Sequence, residues 1–233
     1  MVLFCLWWLL LAAFRVFPQI DITVAELFFS RGPCLLGQAA DYTCGHFPYS
    51  VEQGFRLLRE TFLLLPYAAA AMLVWMLAIS LREHGASFQP IRVRNLKVAL
   101  GTLILGPGLL VNFWLKTFAH RPRPRQTNLF GGSLDFVHAG SFVGECVRNC
   151  SFVSGEAASA GWLFCLIFII PQPARSALAL PIMAVAILTP ALRVAFGGHY
   201  LSDVVLGWLS SLIIFSALLA LSQTTHCRKF SGA

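Results

Sequence analysis

The sequence predicts an all-α protein, a polytopic bundle of six transmembrane helices with a short interfacial helix beside it. Three observations predict it. The 233 residues are 58% hydrophobic and 12% charged, whereas a soluble domain carries about a quarter charged residues. Six apolar stretches reach or approach the ~20 residues needed to cross the hydrocarbon layer. Lys and Arg concentrate at the ends of those stretches. This apolar content excludes a disordered chain. With no internal repeat, low-complexity segment or composition break, one integral-membrane domain over 1–233 is expected.

The first span covers about Val2 to Phe17. Lacking a basic start and a small-residue cleavage site, it is expected to be a retained helix and not a signal peptide. The second runs from about Thr61 to Leu81 and the third from about Leu96 to Phe118. The fourth covers about Ala157 to Ile170, starting a few residues earlier; the fifth covers Ala177 to Phe196 and the sixth Leu201 to Leu221. Between the first two, Ile20, Val24, Leu27 and Phe28 recur at helical spacing, as in a helix lying at the interface.

The loops give the orientation. Arg82, Arg92, Arg94 and Lys97 surround the second connection, Arg175 lies in the fourth, and Arg228 and Lys229 lie in the tail. Six spans put these segments on one side, which the positive-inside rule makes cytoplasmic. The two long loops, about Pro18 to Arg59 and Ala119 to Ser154, then face out. Arg121, Arg123, Arg125 and Arg148 also lie on that side, against the charge bias, and need another task.

Lys and Arg outnumber Asp and Glu by 17 to 10. Nucleic acid is not the expected partner, because the cations sit at helix ends where anchoring or phosphate binding accounts for them. Cys5 and Cys165 lie inside apolar runs and are expected to be packing residues, and Cys227 lies in the tail. Cys34 and Cys44 share one outer loop, Cys146 and Cys150 the other. Such grouping suggests disulfides in an oxidising compartment such as a periplasm, with the pairing open. Zinc is the competing reading, but no CxxC pair or matched His spacing supports it.

Polar groups collect at the outer ends of three apolar helices. In Arg193-Val-Ala-Phe-Gly-Gly-His199-Tyr-Leu-Ser-Asp203, His199 and Asp203 are four apart and share a helix face. A carboxylate there can accept from one ring nitrogen and leave the other to attack. Gly197 and Gly198 separate the helix that ends at Arg193 from the one that begins at His199. The bland alternative is a snorkelling Arg beside a capping His–Asp pair. In Lys116-Thr-Phe-Ala-His-Arg-Pro-Arg123-Pro124 the prolines bar a helix and the cations suit phosphate, although interfacial anchoring also explains them. In Ser151-Phe-Val-Ser154-Gly155-Glu156, Ser154 is a natural N-cap whose helix would present N–H groups to an anion.

In order and spacing these three segments resemble the type-2 phosphatidic acid phosphatase superfamily, which also includes vanadium haloperoxidases and glucose-6-phosphatase, and the resemblance implies a catalytic core over about 101–221. Its signature is K-x6-R-P, then P-S-G-H, then S-R-x5-H-x3-D. Lys116, Arg123 and Pro124 match the first element, Ser154 and Gly155 part of the second, and Arg193, His199 and Asp203 the third. Three positions depart: Val153 for Pro, Leu192 for Ser, and Glu156 for the His that in the family protonates the leaving oxygen. The Ser-Gly-Glu form looks like a bacterial subgroup. Glu156 is expected to act as the general acid; a substitute such as His120, or an impaired site, is the alternative.

The resemblance implies a hydrolase working through a phosphohistidine. His199 attacks phosphorus and Asp203 stabilises the imidazolium. Lys116, Arg123, Arg193 and the N–H groups around Ser154 and Gly155 hold the phosphate. It implies no cofactor, and no carboxylate cluster for a metal is visible. A site at the interface suits a membrane lipid phosphate. Lipid A is the first expectation, then undecaprenyl pyrophosphate, phosphatidylglycerophosphate and phosphatidic acid, acted on from the periplasmic face of a bacterial inner membrane. Arg121, Arg125 and Arg148 are candidates to grip a second phosphate, or anchors to anionic headgroups. A lipid phosphotransferase using the same intermediate and a non-catalytic lipid-phosphate binding protein remain as rivals. A transporter is disfavoured, because the ionisable groups gather at one face. The sequence leaves the oligomeric state open.

Overall fold

A computed structural model describes residues 1–34, 43–147 and 149–230, with the side chains of 86 and 224–230 left aside. The described chain is mainly helical, with almost no strand. Helix α1 (Val2–Val16) breaks at Pro18, and α2 (Gln19–Glu26) leaves it at 78°. A two-residue antiparallel pair, β1 (Ser30–Arg31) with β2 (Gly45–His46), and the short α3 (Pro48–Val51) lead to α4 (Gln53–Arg82). Helix α5 (Pro90–Leu103) continues through a stretch of wider, π-type turns (Ile104–Leu115) into α6 (Lys116–Phe118). A long loop precedes α7 (Gly155–Leu166), and α8 (Gln172–Ala195) and α9 (Leu201–Phe230) complete the bundle.

Among the described residues, four helices are long and apolar enough to cross a membrane: α4, the continuous rod Pro90–Phe118, α8 and α9. The bent α1–α2 pair makes a fifth where the two helices are counted as one broken span. The all-α membrane bundle is as expected, and the count of six spans is approximate. The predicted fourth span is the exception: α7 has 12 residues, a rise of only ~18 Å. It is short because it is enclosed. Its Ala, Gly and Trp positions are buried almost all round, packed between α8 and α9. Gly161 faces the Trp208 carbonyl so closely that an added Cβ would lie 2.4 Å from that oxygen. Trp162, fully buried, donates its indole N–H to the Ala99 carbonyl at 2.8 Å, so its large apolar area is buried without a stranded donor.

The outer helices show the opposite pattern. Only 6% of the most apolar window of α4 is buried, and Leu64, Tyr67, Met72, Val74 and Trp75 stand exposed along it. In water such a face would mark an unstable protein or an interface; in hydrocarbon it is the expected surface. The chain is a multi-pass membrane protein. Cys5 is exposed, against the expectation of a packing role, whereas Cys165 is buried as expected.

Two boundary differences matter for the site. Helix α4 begins at Gln53, eight residues before the predicted start, so Arg59 lies on a rigid helix and not in a loop. The predicted interfacial helix is α2, but its Asp21 is only 1% exposed, so α2 is tied into the protein.

Candidate active site

The three polar segments converge at one end of the bundle. The rod of α5 and α6 delivers Lys116, the N-terminus of α7 delivers Ser154, Gly155 and Glu156, and the C-terminus of α8 delivers Arg193. His199 sits in the turn between α8 and α9. Lys116, Arg123 and Arg193 all bear electrostatically on His199.

Each residue is placed by a local device. Ser154 caps α7 by accepting from the Ala157 N–H at 3.3 Å, and its own N–H donates to the Asp203 carbonyl at 3.0 Å. At the end of α8 the N–H groups of Gly198 and His199 both donate to the Arg193 carbonyl, at 3.0 and 3.2 Å. Gly197 has φ +58, and an added Cβ would lie 2.3 Å from the Phe47 ring, so only glycine suits both backbone and space. An added Cβ on Gly198 would lie 2.8 Å from the Arg193 guanidinium. The glycines thus make room for the cation as well as turning the chain.

The His199 ring does not bond to Asp203 directly. Its Nδ1 lies 2.7 Å from the Ser151 carbonyl and 4.0 Å from the Asp203 carboxylate. A carbonyl can only accept, so Nδ1 carries the proton and Nε2 holds the free lone pair. Asp203 instead accepts from the Ser151 hydroxyl and, at 2.9 Å, from the Tyr200 N–H. The carboxylate therefore orients the segment that orients the imidazole, and keeps its charge nearby. Burial, followed by the charges of Arg193, Arg123 and Lys116, holds the His199 pKa well below the ordinary 6.5. The ring is accordingly neutral near pH 7, as a nucleophile must be. By the sign of that shift, stability conferred by the neutral ring is present above 6.5 and is lost as pH falls through the lowered value.

Arg121 is not a phosphate ligand, and the expectation that it grips a second phosphate is overturned. It is fully buried and saturated. Its guanidinium donates to Asp21 at 2.7 Å, Asp203 at 2.6 Å, Ser202 at 2.8 Å and the Val137 carbonyl at 2.8 Å, and lies over the Tyr200 ring. The acidic partner on α2 could not be foreseen, because Asp21 lies 100 positions away. Arg125 is exposed, and Arg148 lies outside the described residues.

Arg123 is held by Asn149, donating to its carbonyl at 2.8 Å and to its side-chain oxygen at 2.5 Å. Burial, with Arg125 next, lowers its pKa to about 10, so it stays charged at neutral pH. Disulfides join Cys34 to Cys44 and Cys146 to Cys150. The second brackets Asn149 and adjoins Ser151, the partners of Arg123 and His199. Replacing both Cys146 and Cys150 by Ser is expected to lower turnover on the order of 10- to 100-fold, the usual effect of a site held ~1 Å out of place. Steady-state kinetics beside a thermal-unfolding control checks this. His120 turns its Nδ1 to the Cys146 carbonyl at 2.9 Å.

Glu156 occupies a different position from the expected free acid. Arg59 of α4 grips it bidentately, at 3.1 and 2.5 Å. Arg193 Nε lies 3.4 Å from the same carboxylate, within ion-pair range but not hydrogen-bonded, leaving a buried donor without an acceptor among the described residues. Arg59 was missed because a lone Arg before an apolar run resembles an interfacial anchor. Beside this cluster opens a cavity of about 560 Å³. Lys116, Asn112 and Glu156 line its polar end, and Phe62, Leu63, Pro66, Leu103 and Ile104 line the rest. Among the described residues no group of three or more His, Cys, Asp or Glu side chains is placed to hold a metal.

A multi-pass helical bundle with a His, a carboxylate and a ring of cations at one helix-end cluster defines a membrane phosphatase, and the chain belongs to the PAP2 superfamily, whose profile matches residues 95–227. It is a phosphoric monoester hydrolase. It is 56% identical over 231 residues to a lipid A 4'-phosphatase of Rhizobium leguminosarum, covering 99% of both chains. A lipid A 4'-phosphatase of Rhizobium etli is 55% identical over 231 residues, 99% of this chain and 90% of the relative. One of Francisella tularensis subsp. novicida is 36% identical over 104 residues, 44% of this chain and 47% of the relative. No solved structure matches significantly.

Proposed function

We propose that this protein removes the 4'-phosphate of lipid A, as a single 1–233 domain in a bacterial inner membrane with its site facing the periplasm. The observation that carries the reading is the convergence of Lys116, Arg123 and Arg193 on a buried His199 in a chain alike end to end to two lipid A 4'-phosphatases. The cation-poor apolar cavity beside the cluster suits a phosphate attached to acylated sugar, because acyl chains can stay in apolar surroundings while the phosphate meets charge. The loop disulfides suit an oxidising compartment, and the basic inner connections suit the cytoplasm.

In this reaction the phosphate lies against Lys116, Arg123, Arg193 and the N–H groups at the α7 N-terminus, which neutralise charge as the phosphoryl group transfers. His199 Nε2 attacks phosphorus, the bond to the sugar oxygen breaks, and a phosphohistidine forms. Asp203, 4.0 Å from the ring, stabilises the resulting imidazolium. The resting Glu156 is an ion-paired carboxylate, so its acid role requires a proton that arrives with substrate. A phosphate monoester has its second pKa near ~6, so its monoanion can supply that proton to Glu156, which passes it to the departing sugar oxygen. Water, its proton taken by the Glu156 carboxylate, then attacks phosphorus; the P–N bond breaks, His199 leaves as neutral imidazole and phosphate is released.

Phosphate release from purified lipid A in detergent, with EDTA present, tests the reading. Release that survives EDTA and is selective for the 4'-position supports it; release only from glycerophospholipids would reassign the substrate. A pH profile adds a second check. Because His199 is held below 6.5, the acid limb of kcat/KM is expected to fall below pH 6.5. A nucleophile limb centred at or above 6.5, unchanged in Glu156→Gln, would contradict the neutral buried histidine.

A further inference from the structure

We infer that Arg59 is an additional phosphate-binding cation, supplied by α4 and held ready in the empty site by Glu156, which the incoming phosphate displaces. The inference rests on the phosphatase reading above and adds a residue outside the three motif segments.

Four features lead to it. First, the cations around the site exceed the anions. Asp203 is already matched by Arg121, which also holds Asp21. That leaves Glu156 as the carboxylate facing Arg59, Arg193, Arg123 and Lys116. A partly buried cluster of this kind is poised for a further anion. Second, one carboxylate oxygen, Glu156 Oε1, meets both guanidinium groups, with Arg59 Nη2 at 2.5 Å and Arg193 Nε at 3.4 Å. Two guanidiniums converging on one oxygen is the arrangement a phosphate oxygen takes. Third, Arg193 Nε is buried and lacks a hydrogen bond among the described residues. The glutamate therefore satisfies the cluster incompletely, whereas a phosphate has more oxygens to offer. Fourth, Arg59 is fixed on a 30-residue helix and is 28% exposed, so its long side chain can turn from Glu156 to a ligand without backbone movement.

The substitution of Glu for the motif His explains why the second arginine is present. A glutamate alone at position 156 would place a negative charge where phosphate must come. Arg59 cancels that charge in the empty site. When phosphate binds, it accepts from Arg59 and Arg193, and Glu156 is released next to the leaving oxygen. The same pairing thus holds the carboxylate in place at rest and frees it when substrate arrives.

Inorganic phosphate, the reaction product, is the probe. Its binding to the full-length protein in detergent is measured by isothermal calorimetry at fixed pH and salt. Wild type, Arg59→Ala, Arg59→Lys, Glu156→Gln and the double variant Arg59→Ala/Glu156→Gln are compared, with thermal unfolding confirming that each is folded. Arg59→Ala is expected to weaken phosphate binding at least about tenfold, and Arg59→Lys to recover part of it, since the charge remains but the fork is lost. Glu156→Gln is expected to tighten binding several-fold although turnover falls, because a competing anion is gone. That gain should vanish in the double variant.

A merely structural Arg59–Glu156 pair predicts otherwise: Arg59→Ala would leave phosphate affinity within twofold, and Glu156→Gln would not tighten it. Either result overturns the inference. Lipid A turnover is measured in parallel. An active wild type whose phosphate binding ignores Arg59 sinks this inference alone. Phosphate binding that depends on Arg59, in a protein that hydrolyses no lipid phosphate, sinks the functional reading and leaves the site.

Discussion

Replacing His199 by Ala is expected to reduce phosphate release by at least about four orders of magnitude while leaving the protein folded. Loss of a covalent nucleophile removes the first bond-forming step, and in other enzymes such removal costs on the order of 10⁴ to 10⁶ in kcat. The residual cations still bind phosphate, so KM should change far less than kcat. Folding should survive because the ring's polar contact is to the Ser151 carbonyl, and Ser151 keeps its own hydroxyl bond to Asp203. Rapid quench with radiolabelled lipid phosphate gives the direct measurement. Wild type should show an acid-labile, base-stable phosphoenzyme, and His199→Ala none. Turnover by His199→Ala within tenfold of wild type would exclude the phosphohistidine route.

The second large effect concerns stability. Arg121→Met is expected to destabilise the fold by about 3–5 kcal/mol, because it strands two buried carboxylates. Asp21 and Asp203 are 1% and 0% exposed and both depend on this guanidinium. Asp21 also accepts from the Ser202 N–H at 2.8 Å and from its hydroxyl at 2.6 Å, so the network ties α2 to the start of α9. Thermal unfolding in a single detergent compares wild type, Arg121→Met and Arg121→Met/Asp21→Asn. The double variant should recover part of the loss, since one stranded charge is gone. A loss below about 1 kcal/mol would mean that water or bulk detergent reaches the network, contrary to its burial.

Both expectations involve residues that the sequence offered in a different light. His199 and Asp203 were legible as a pair from their spacing, which places them on one helix face. Their coupling was not. A spacing of four makes a contact available, but the backbone carbonyl of Ser151, 48 positions away, reaches the ring first. Arg121 lies among three arginines within five residues, and nothing local separates the one that faces inward. Its neighbours Pro122, Arg123 and Pro124 are buried too, while Arg125 is exposed, and only packing against Tyr200 and α2 makes that division.

The membrane class, the apolar helices, the residues at their ends and the family resemblance were determined by the sequence itself, because hydropathy, capping and motif spacing are local properties. Ser154 was recognisable as a cap, and the paired loop cysteines as candidates for bonding. Tertiary structure decided what local pattern cannot express. It made the predicted fourth span, α7, a short helix enclosed by its neighbours. It extended α4 by eight residues and so placed Arg59 beside Glu156, 97 positions away. It also gave Arg121 and Glu156 their charged partners. Electrostatic pairing depends on distance in space, and burial raises its energy, so the matching of Arg121 with Asp21 and Asp203, and of Arg59 with Glu156, follows only from the folded chain.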